Sequence, residues 1–581
     1  MKSIRQLKWL NQNRRGAIVV LTAVVMVVVL ALVAFALDVS YLSLTKTQLQ
    51  AAADATALAG AMELSGTLDA ATVRANARQA ISEVAAMQHN GDKSSLSVDP
   101  IQDITFGKTV WSGSSYTIQW GDDQFPYDVV KVHALRGAGT DTSPDNRLPL
   151  FFAPMFGNKS AVIGATAIAS FQPRDIMMVL DFSASMNDDS SLGAITKLPQ
   201  ASIEANIQTM WTELGSPVYG NLAFTPAYAK LPGRVASGTI PHIDVTYKRA
   251  SVTVQSTLAL SQVRLQFSNG NTQNVTVSGG LLTGTYTGSG SNAGSDITSC
   301  WVKSGTNASL SAGNYGEQFN FTVANIQTAL GLNIAYPYPA GSWTEYIQVV
   351  QSSSDEIARA GYRDMYGYLT WIDYLQNYYP SVSQTPDLWK TSEQPVRSMK
   401  DAATMFVDYL VQMETQDQLG LAIYTHTSAA GAIKEFGLSK NLAQVKSTVL
   451  VRQAGHYMGG TNIAAGMTIA RTELVANARP RAFRMMVVST DGLANLPTNT
   501  TVAKQNVINE ANLAVASKIK ILTISHGILA DKVLMQQVAD ITGGLHFNVP
   551  GNVSVASCQA QLQEIFRQIA SSRPLKLIHN E

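Results

Sequence analysis

The sequence predicts an α/β protein. A central, mostly parallel sheet flanked by helices is interrupted by a β-rich plus helical insertion, and a transmembrane helix and a small α+β region precede it. Three observations carry that expectation. IMMVLDF and MMVVST are almost continuously apolar, the character of strands buried on both faces, as a parallel sheet requires. Strands of this kind alternate with segments of helical spacing, the pattern of strands joined by crossover helices. Residues 17–37, AIVVLTAVVMVVVLALVAFAL, hold a single polar residue, Thr22, over a length that spans a bilayer as a helix.

Lys2, Arg5, Lys8, Arg14 and Arg15 precede the apolar run, and Asp38 is the first charge after it. The positive-inside rule therefore places residues 1–16 in the cytoplasm as a basic segment, residues 17–37 in the membrane and the rest outside. Ala34-Phe35-Ala36 would also suit a signal peptidase, although signal-peptide apolar cores run to about 7–15 residues. Either reading exports everything after residue 40. Beyond the membrane, YLSLTKTQLQAAADATALAGAMEL is rich in helix formers, so the spanning helix is expected to continue outward. Ala51, Ala52, Ala55 and Ala59 recur at spacings of three and four. They are either a face that lets a second helix approach closely or simply an alanine helix of high propensity. A second helix is expected over 69–88. Residues 100–172 alternate the β-type runs SYTIQW, DVVKVHAL, LPLFFAPMF and SAVIGATAIASF with turn residues, which makes 38–172 a helical and β-rich region.

At 581 residues the chain exceeds one domain, and roughly three or four folded units are expected. Lys and Arg number 42 against 41 Asp and Glu, so no global field recruits nucleic acid. Cys300 and Cys558 each stand alone, which excludes a thiolate zinc site and a disulfide framework and leaves open whether the two pair.

The stretch RRGAIVVLTAVVMVVVLALVAFALDVSYL, followed by TQLQAAADATALAGA, resembles the N-terminal region of TadG-like proteins of the Flp pilus (Tad) assembly systems. The basic pair, Gly16, the apolar helix, Asp38 and the alanine-rich pattern occur in the family's order. Tad pseudopilins that are processed carry Glu five residues after the cleavage glycine. Leu21 stands there in this chain, so a retained anchor is expected. The resemblance implies a single pass through the bacterial inner (cytoplasmic) membrane with the N-terminus cytoplasmic. It also implies that the bulk of the chain is periplasmic or extracellular and that its partners are pilus or Tad apparatus components.

The chemistry lies further along. In MMVLDFSASM, residues 177–186, oxygen-bearing Asp181, Ser183 and Ser185 alternate where a buried strand ends, and ligands of parallel sheets bind beyond strand carboxyl ends. A carboxylate with two hydroxyls suits a hard cation; taken alone, the same residues are read first as hydroxyls capping a turn or helix. MGGTNIAAGM puts Thr461 between a Gly pair and a helical pattern, and MMVVSTDGLAN ends a second apolar strand in Thr490-Asp491-Gly492. These three pieces resemble the von Willebrand factor A (vWFA) domain with its metal-ion-dependent adhesion site, patterned D-x-S-x-S, then Thr, then Asp. The resemblance implies a Rossmann-like domain in which Ser183, Ser185 and Thr461 ligate a divalent cation. Asp181 and Asp491 would hold the ion directly or through water. Mg²⁺ is the first expectation, with Mn²⁺ and Ca²⁺ as alternatives. The family usually has Gly where this chain has Ala184, a change that removes no ligand atom.

The remaining elements follow in order. SMKDAATMFVDYLVQM, residues 398–413, aligns Met399, Ala402, Ala403, Phe406 and Leu410 on one helical face. LGLAIYTH and KIKILTISHG read as strands, and GGLHFNV as the last strand before the helix QAQLQEIFRQIA. The vWFA domain is thus expected over 175–190 and 396–572. Ser185 and Thr461 stand 276 residues apart, so residues 191–395 are read as an insertion directly after the first ligand loop. Within it, residues 240–325 suggest a small β-sandwich, with a hairpin turning at Asn269-Gly270. Residues 344–379 suggest helices whose Tyr362, Tyr366, Tyr368, Trp371, Tyr374 and Tyr378 form core or a binding platform.

No phosphate loop, H-E-x-x-H or G-x-S-x-G motif is present, so no enzyme is expected. His426 and His546 close strands near the sheet end and are read as approaching the ion or as core and loop histidines. Asp188 and Asp189 enlarge the cation site or solvate it. The joint implication is a membrane-anchored vWFA protein binding a protein ligand that offers an acidic residue. A structural envelope protein without metal binding is the alternative, and a hydrolase the more distant one.

Overall fold

The computed structural model describes residues 14–64, 68–112, 115–137, 146–236, 241–304, 316–424, 431–457, 459–480, 482–527, 529–550 and 555–578. Helix α1 (Arg14–Met62) runs 49 residues, about 70 Å at the α-helical rise. From Ile18 to Leu37 it is apolar and largely exposed on all sides. Beyond Asp38 the same helix becomes a packing element, burying Leu49, Ala52, Ala53, Thr56, Ala57 and Ala61. The buried stripe is therefore rotated from the Ala51–Ala55–Ala59 face: Ala51 is exposed, because the contacting sheet and α2 (Ala70–Ala86) lie on the other side. Close approach of the two helices occurs at Gly60, where a Cβ would come within 2.5 Å of Ile81 Cδ1.

Strands β1 (Ile104–Trp111), β2 (Tyr116–Trp120), β3 (Val129–Arg136) and β4 (Ile163–Phe171) form an antiparallel sheet in the order β2-β1-β3-β4. The C-terminal strand Leu575–Ile578 completes it beside β4, so the chain end returns to the unit next to the apolar helix. LPLFFAPMF is not a strand beyond a two-residue bridge at Leu148–Pro149. Residues Ala153–Phe156 form a 3-10 turn instead, and Pro149 and Pro154 remove donors a ladder would need.

The central sheet contains β5 (Arg174–Asp181), β6 (Gln418–Tyr424), β7 (Ala432–Ser439), β8 (Phe483–Thr490), β9 (Lys520–Gly527) and β10 (His546–Pro550). Its order is β7-β6-β5-β8-β9-β10, parallel throughout except for the antiparallel edge β7. Strand order reverses between β5 and β8, the switch point at which open α/β sheets form their ligand crevice. Alternate residues of β5 feed two cores. Ile176, Met178 and Leu180 face α3 (Val396–Gln412), α4 (Leu442–Val451) and α8 (Val555–Ser571). Met177 and Val179 face α5 (Ile463–Asn477), α6 (Thr500–Ala516) and α7 (Lys532–Thr542). Met399, Ala402, Ala403, Phe406 and Leu410 of α3 are all buried.

Between β5 and α3 the chain forms a body with its own apolar core. Two four-stranded antiparallel sheets, spanning Lys230–Pro232 to Glu317–Asn320, pack beside helices that include Gln200–Glu213, Trp343–Gln351 and Tyr368–Tyr378. The hairpin at Asn269-Gly270 pairs Val263 with Val275, and Gly270 takes the positive φ of +85° that the turn demands. Tyr366, Tyr368, Trp371 and Tyr374 are buried, so they are core rather than a platform. Cys300 and Cys558 are separate buried thiols.

Candidate metal centre

Asp181 is the last residue of β5 and is fully buried, which strips its carboxylate of water and makes its partners decisive. The backbone N–H of Ser183 donates to Asp181 Oδ1 at 2.9 Å, and the Thr490 hydroxyl donates to Oδ2 at 2.9 Å. Ser183 Oγ and Ser185 Oγ lie 3.0 Å apart, and Ser185 Oγ donates to Asp491 Oδ1 at 2.9 Å. Ser183 heads the 3-10 turn Ala184–Ser190, and its side chain makes no cap bond there.

Thr461 comes from the loop before α5. Its N–H donates to Asn495 Oδ1 at 2.9 Å and its carbonyl accepts from the Asn495 N–H at 3.2 Å, which locks that loop to the one after β8. A Cβ placed on Gly492 would lie 3.4 Å from Thr461 Oγ1 and 3.5 Å from Ser185 Oγ, so both hydroxyls border one small space. The fold thus brings Asp181, Ser183, Ser185, Thr461 and Asp491 together from three loops at the sheet's switch point.

The electrostatics are those of two carboxylates sharing a buried pocket. Burial pushes the Asp491 carboxyl well above the usual range, and the Asp181 charge adds to the shift. The Ser185 hydrogen bond opposes both. Burial, then Asp181, likewise raises the Tyr424 phenol, whose hydroxyl donates to the Ser489 carbonyl at 2.8 Å. Among the described residues, neither Asp181 nor Asp491 makes an ion pair, and no cluster of three His, Cys, Asp or Glu forms a metal cage. Two carboxylates with three hydroxyls are a hard-oxygen donor set, the kind that Mg²⁺ accepts while keeping some of its waters.

Residues 16–63 match the model of the Tad family, described as putative Flp pilus-assembly TadE/G-like. That match is α1. The match and the exposed apolar helix support a membrane-anchored protein of Tad type. No curated protein matches the chain. Among solved structures, it is similar to a von Willebrand factor type A structure from Catenulispora acidiphila, at 16% identity over 30% of this chain and 37% of that one, TM-score 0.23. The SpRpn10 VWA domain is similar at 15% identity over 28% of this chain and 81% of that one, TM-score 0.23. The pilus adhesin SpaC of Lactobacillus rhamnosus GG is similar at 15% identity over 31% of this chain, TM-score 0.24, and only 28% of the adhesin's own length is covered.

Three residues that shape the pocket have no signal of their own in the sequence. Thr490 is visible only as the neighbour of Asp491, Asn495 only as a polar residue in the same loop, and Gly492 only as the residue after Asp491. Asp188 and Asp189 lie beside the five, lining with Lys197, Leu198, Pro395, Asp491 and Gly527 a small cleft. Lys197 pairs with Asp188 at 3.2 Å. Burial, with Asp188 adding, pushes the Asp189 carboxyl up to about 6. His546 is hydrogen-bonded to the Thr523 and Ser525 hydroxyls within the sheet, a structural role; His426 lies outside the described residues.

Proposed function

We propose that this protein is an exported, membrane-anchored vWFA protein that grips a protein ligand's acidic side chain through a divalent cation, in Flp pilus or Tad-type assembly or in surface adhesion. The observation that carries this reading is the Asp181–Asp491 pair, buried together with no basic partner among the described residues and bordered by the Ser183, Ser185 and Thr461 hydroxyls. Ser183, Ser185 and Thr461 would hold the ion through their hydroxyl oxygens, and Asp181 and Asp491 directly or through water, with Mg²⁺ preferred over Mn²⁺ and Ca²⁺. When bound, the cation supplies an open coordination place for a carboxylate. Asp181, fixed by Thr490 and the Ser183 N–H, orients the first loop; Asn495 orients Thr461. In this arrangement the chain binds and does not turn over substrate, the N-terminus is cytoplasmic, and the bulk of the chain faces the periplasm or the exterior.

The test is calorimetric titration of the detergent-solubilised protein with Mg²⁺, alongside Asp181→Ala and Thr461→Ala, followed by capture of envelope proteins with and without chelator. Wild type is expected to bind one ion and both variants to lose it, with capture falling in chelator. Equal Mg²⁺ heats in all three proteins, or capture indifferent to chelator, would leave the structural-envelope reading in place.

A further inference from the structure

The loop Leu150–Gly157 carries apolar side chains that the protein leaves uncovered: Phe151 is 66% exposed, Phe152 37%, Met155 81% and Phe156 72%. So much large apolar surface in one short loop is unusual on a water-facing protein. Its place on the molecule is specific. Asp38, the first residue after the apolar stretch of α1, accepts the backbone N–H groups of Phe151, Phe152 and Ala153 at 2.8, 3.0 and 2.6 Å. The Tyr41 ring packs 4.9 Å from that of Phe151. The loop is therefore pinned to α1 at the first turn beyond residue 37, where Phe35 and Leu37 are themselves exposed.

Most of the backbone donors of the loop are paired within the protein. Pro154 has no N–H, and Met155, Gly157 and Asn158 donate to carbonyls of residues 152–154. Leu150 donates to the Lys159 carbonyl, and Asp38 takes the next three donors. Pairing of these donors lowers the cost of placing the segment where water is scarce. No charged residue falls between Pro149 and Asn158, and the exposed Lys159 follows directly. That is the order of an interfacial segment: apolar residues at the acyl boundary, then a cation at headgroup level.

We propose that Leu150–Gly157 is a second membrane contact, lying in the lipid interface on the exported side beside α1, with Phe151, Phe152, Met155 and Phe156 in lipid. The occupant is lipid because the apolar surface of the loop continues that of the helix that spans the bilayer. The proposal rests on the reading that residues 17–37 span the membrane. Its consequence is positional: a helix alone can tilt and rotate, whereas a helix clamped to an interfacial loop holds the exported domains at a defined height and orientation.

The experiment uses the full chain in phosphatidylcholine–phosphatidylglycerol vesicles with Cys300→Ala and Cys558→Ala. A nitroxide label is placed singly by Met155→Cys, by Val28→Cys within α1, or by Val235→Cys on the insertion, where Val235 is 88% exposed. Collision with oxygen is compared with collision with a water-soluble nickel complex. The labels at 155 and 28 are expected to favour oxygen, and the label at 235 the nickel complex. A label at 155 as nickel-accessible as the one at 235, with 28 still oxygen-favouring, overturns the proposal and leaves the anchor intact; a loop meant for a protein partner would give that result. A nickel-accessible label at 28 overturns the anchor reading and the loop proposal with it.

Discussion

Gly492 borders the space shared by Thr461 Oγ1 and Ser185 Oγ, and a Cβ there would make only ordinary van der Waals contact with both. A branched side chain would instead fill the space. Gly492→Val is expected to abolish Mg²⁺ binding by calorimetry while leaving the circular dichroism spectrum of the protein unchanged. Thr490→Val removes the donor to Asp181 Oδ2 without touching any of the five oxygen-bearing residues, and is expected to weaken Mg²⁺ by about 10–100-fold. Away from the site, Asp128 is buried and burial pushes its carboxyl up to about 6, although the Thr109 N–H donates to it at 2.6 Å. An acid whose folded pKa exceeds its unfolded value binds more protons when folded, so it penalises folding fully above about pH 6 and not at all below about pH 4. Wild type should therefore gain up to about 3 kcal/mol from this group as pH falls from 7.5 to 4. Asp128→Asn, which keeps the acceptor for Thr109, should remove that gain; melting both proteins across the range tests it.

At the scale of elements, β5 begins in two buried ion pairs and ends in the candidate site. Arg174 pairs with Asp417 at 2.7 Å and also donates to the Ile569, Ala570 and Ser572 carbonyls, tying α8 to the sheet. Asp175 pairs with Arg479. Arg174→Met would leave Asp417 charged and unpaired in the core, and a loss of about 3–5 kcal/mol is expected in urea unfolding of the central domain. At the helix pair, Gly60→Val should separate α1 from α2, and Ile81→Ala should restore the melting temperature in the double variant, since Ile81 Cδ1 is what the new Cβ would strike. These elements also separate what is legible in a sequence from what is not. Strand β5 and the hairpin at Asn269-Gly270 are local patterns, with apolar continuity or alternation closed by a turn, and they form where those patterns place them. LPLFFAPMF is apolar in the same way, but Pro149 and Pro154 break its run of donors and the N–H groups of residues 151–153 go to Asp38, which lies far away in the chain. Leu575–Ile578 is too short to show alternation and acquires its identity only by pairing with β4. The same division runs through the pocket. Asp181, Ser183, Ser185 and Asp491 stand at positions that strand ends announce and Thr461 between a Gly pair and a helical pattern, whereas Thr490 and Asn495 matter through partners that only the folded chain supplies.

For the molecule as a whole, the insertion leaves and rejoins the central domain at one narrow neck. The Asp189 N–H donates to the Gln394 carbonyl at 3.2 Å, and the Gln394 N–H donates to Ser190 Oγ at 3.0 Å. The two chain ends therefore already meet, and a short tether can replace what lies between them at little closure entropy. The insertion braces the far part of the 182–190 loop, through Asn206 to the Asp189 carbonyl, Gln376 to the Ser190 carbonyl and Lys197 to the Asp188 carboxylate. The near end is held by the central domain itself: Gly455 donates to the Phe182 carbonyl, and Asp491 accepts from Ser185. Replacing residues 191–393 with a Gly-Ser tether of about six residues should thus leave the central domain folded and weaken Mg²⁺ by less than about tenfold, a smaller loss than that from Thr490→Val. Partner capture should change more than ion affinity does, because Lys197 and Leu198, which wall the cleft beside Asp491, leave with the insertion. Calorimetry and pull-down on the same shortened protein separate the two effects. Ion binding lost along with the insertion would mean that the far brace, and not the neck, organises the ligand loop.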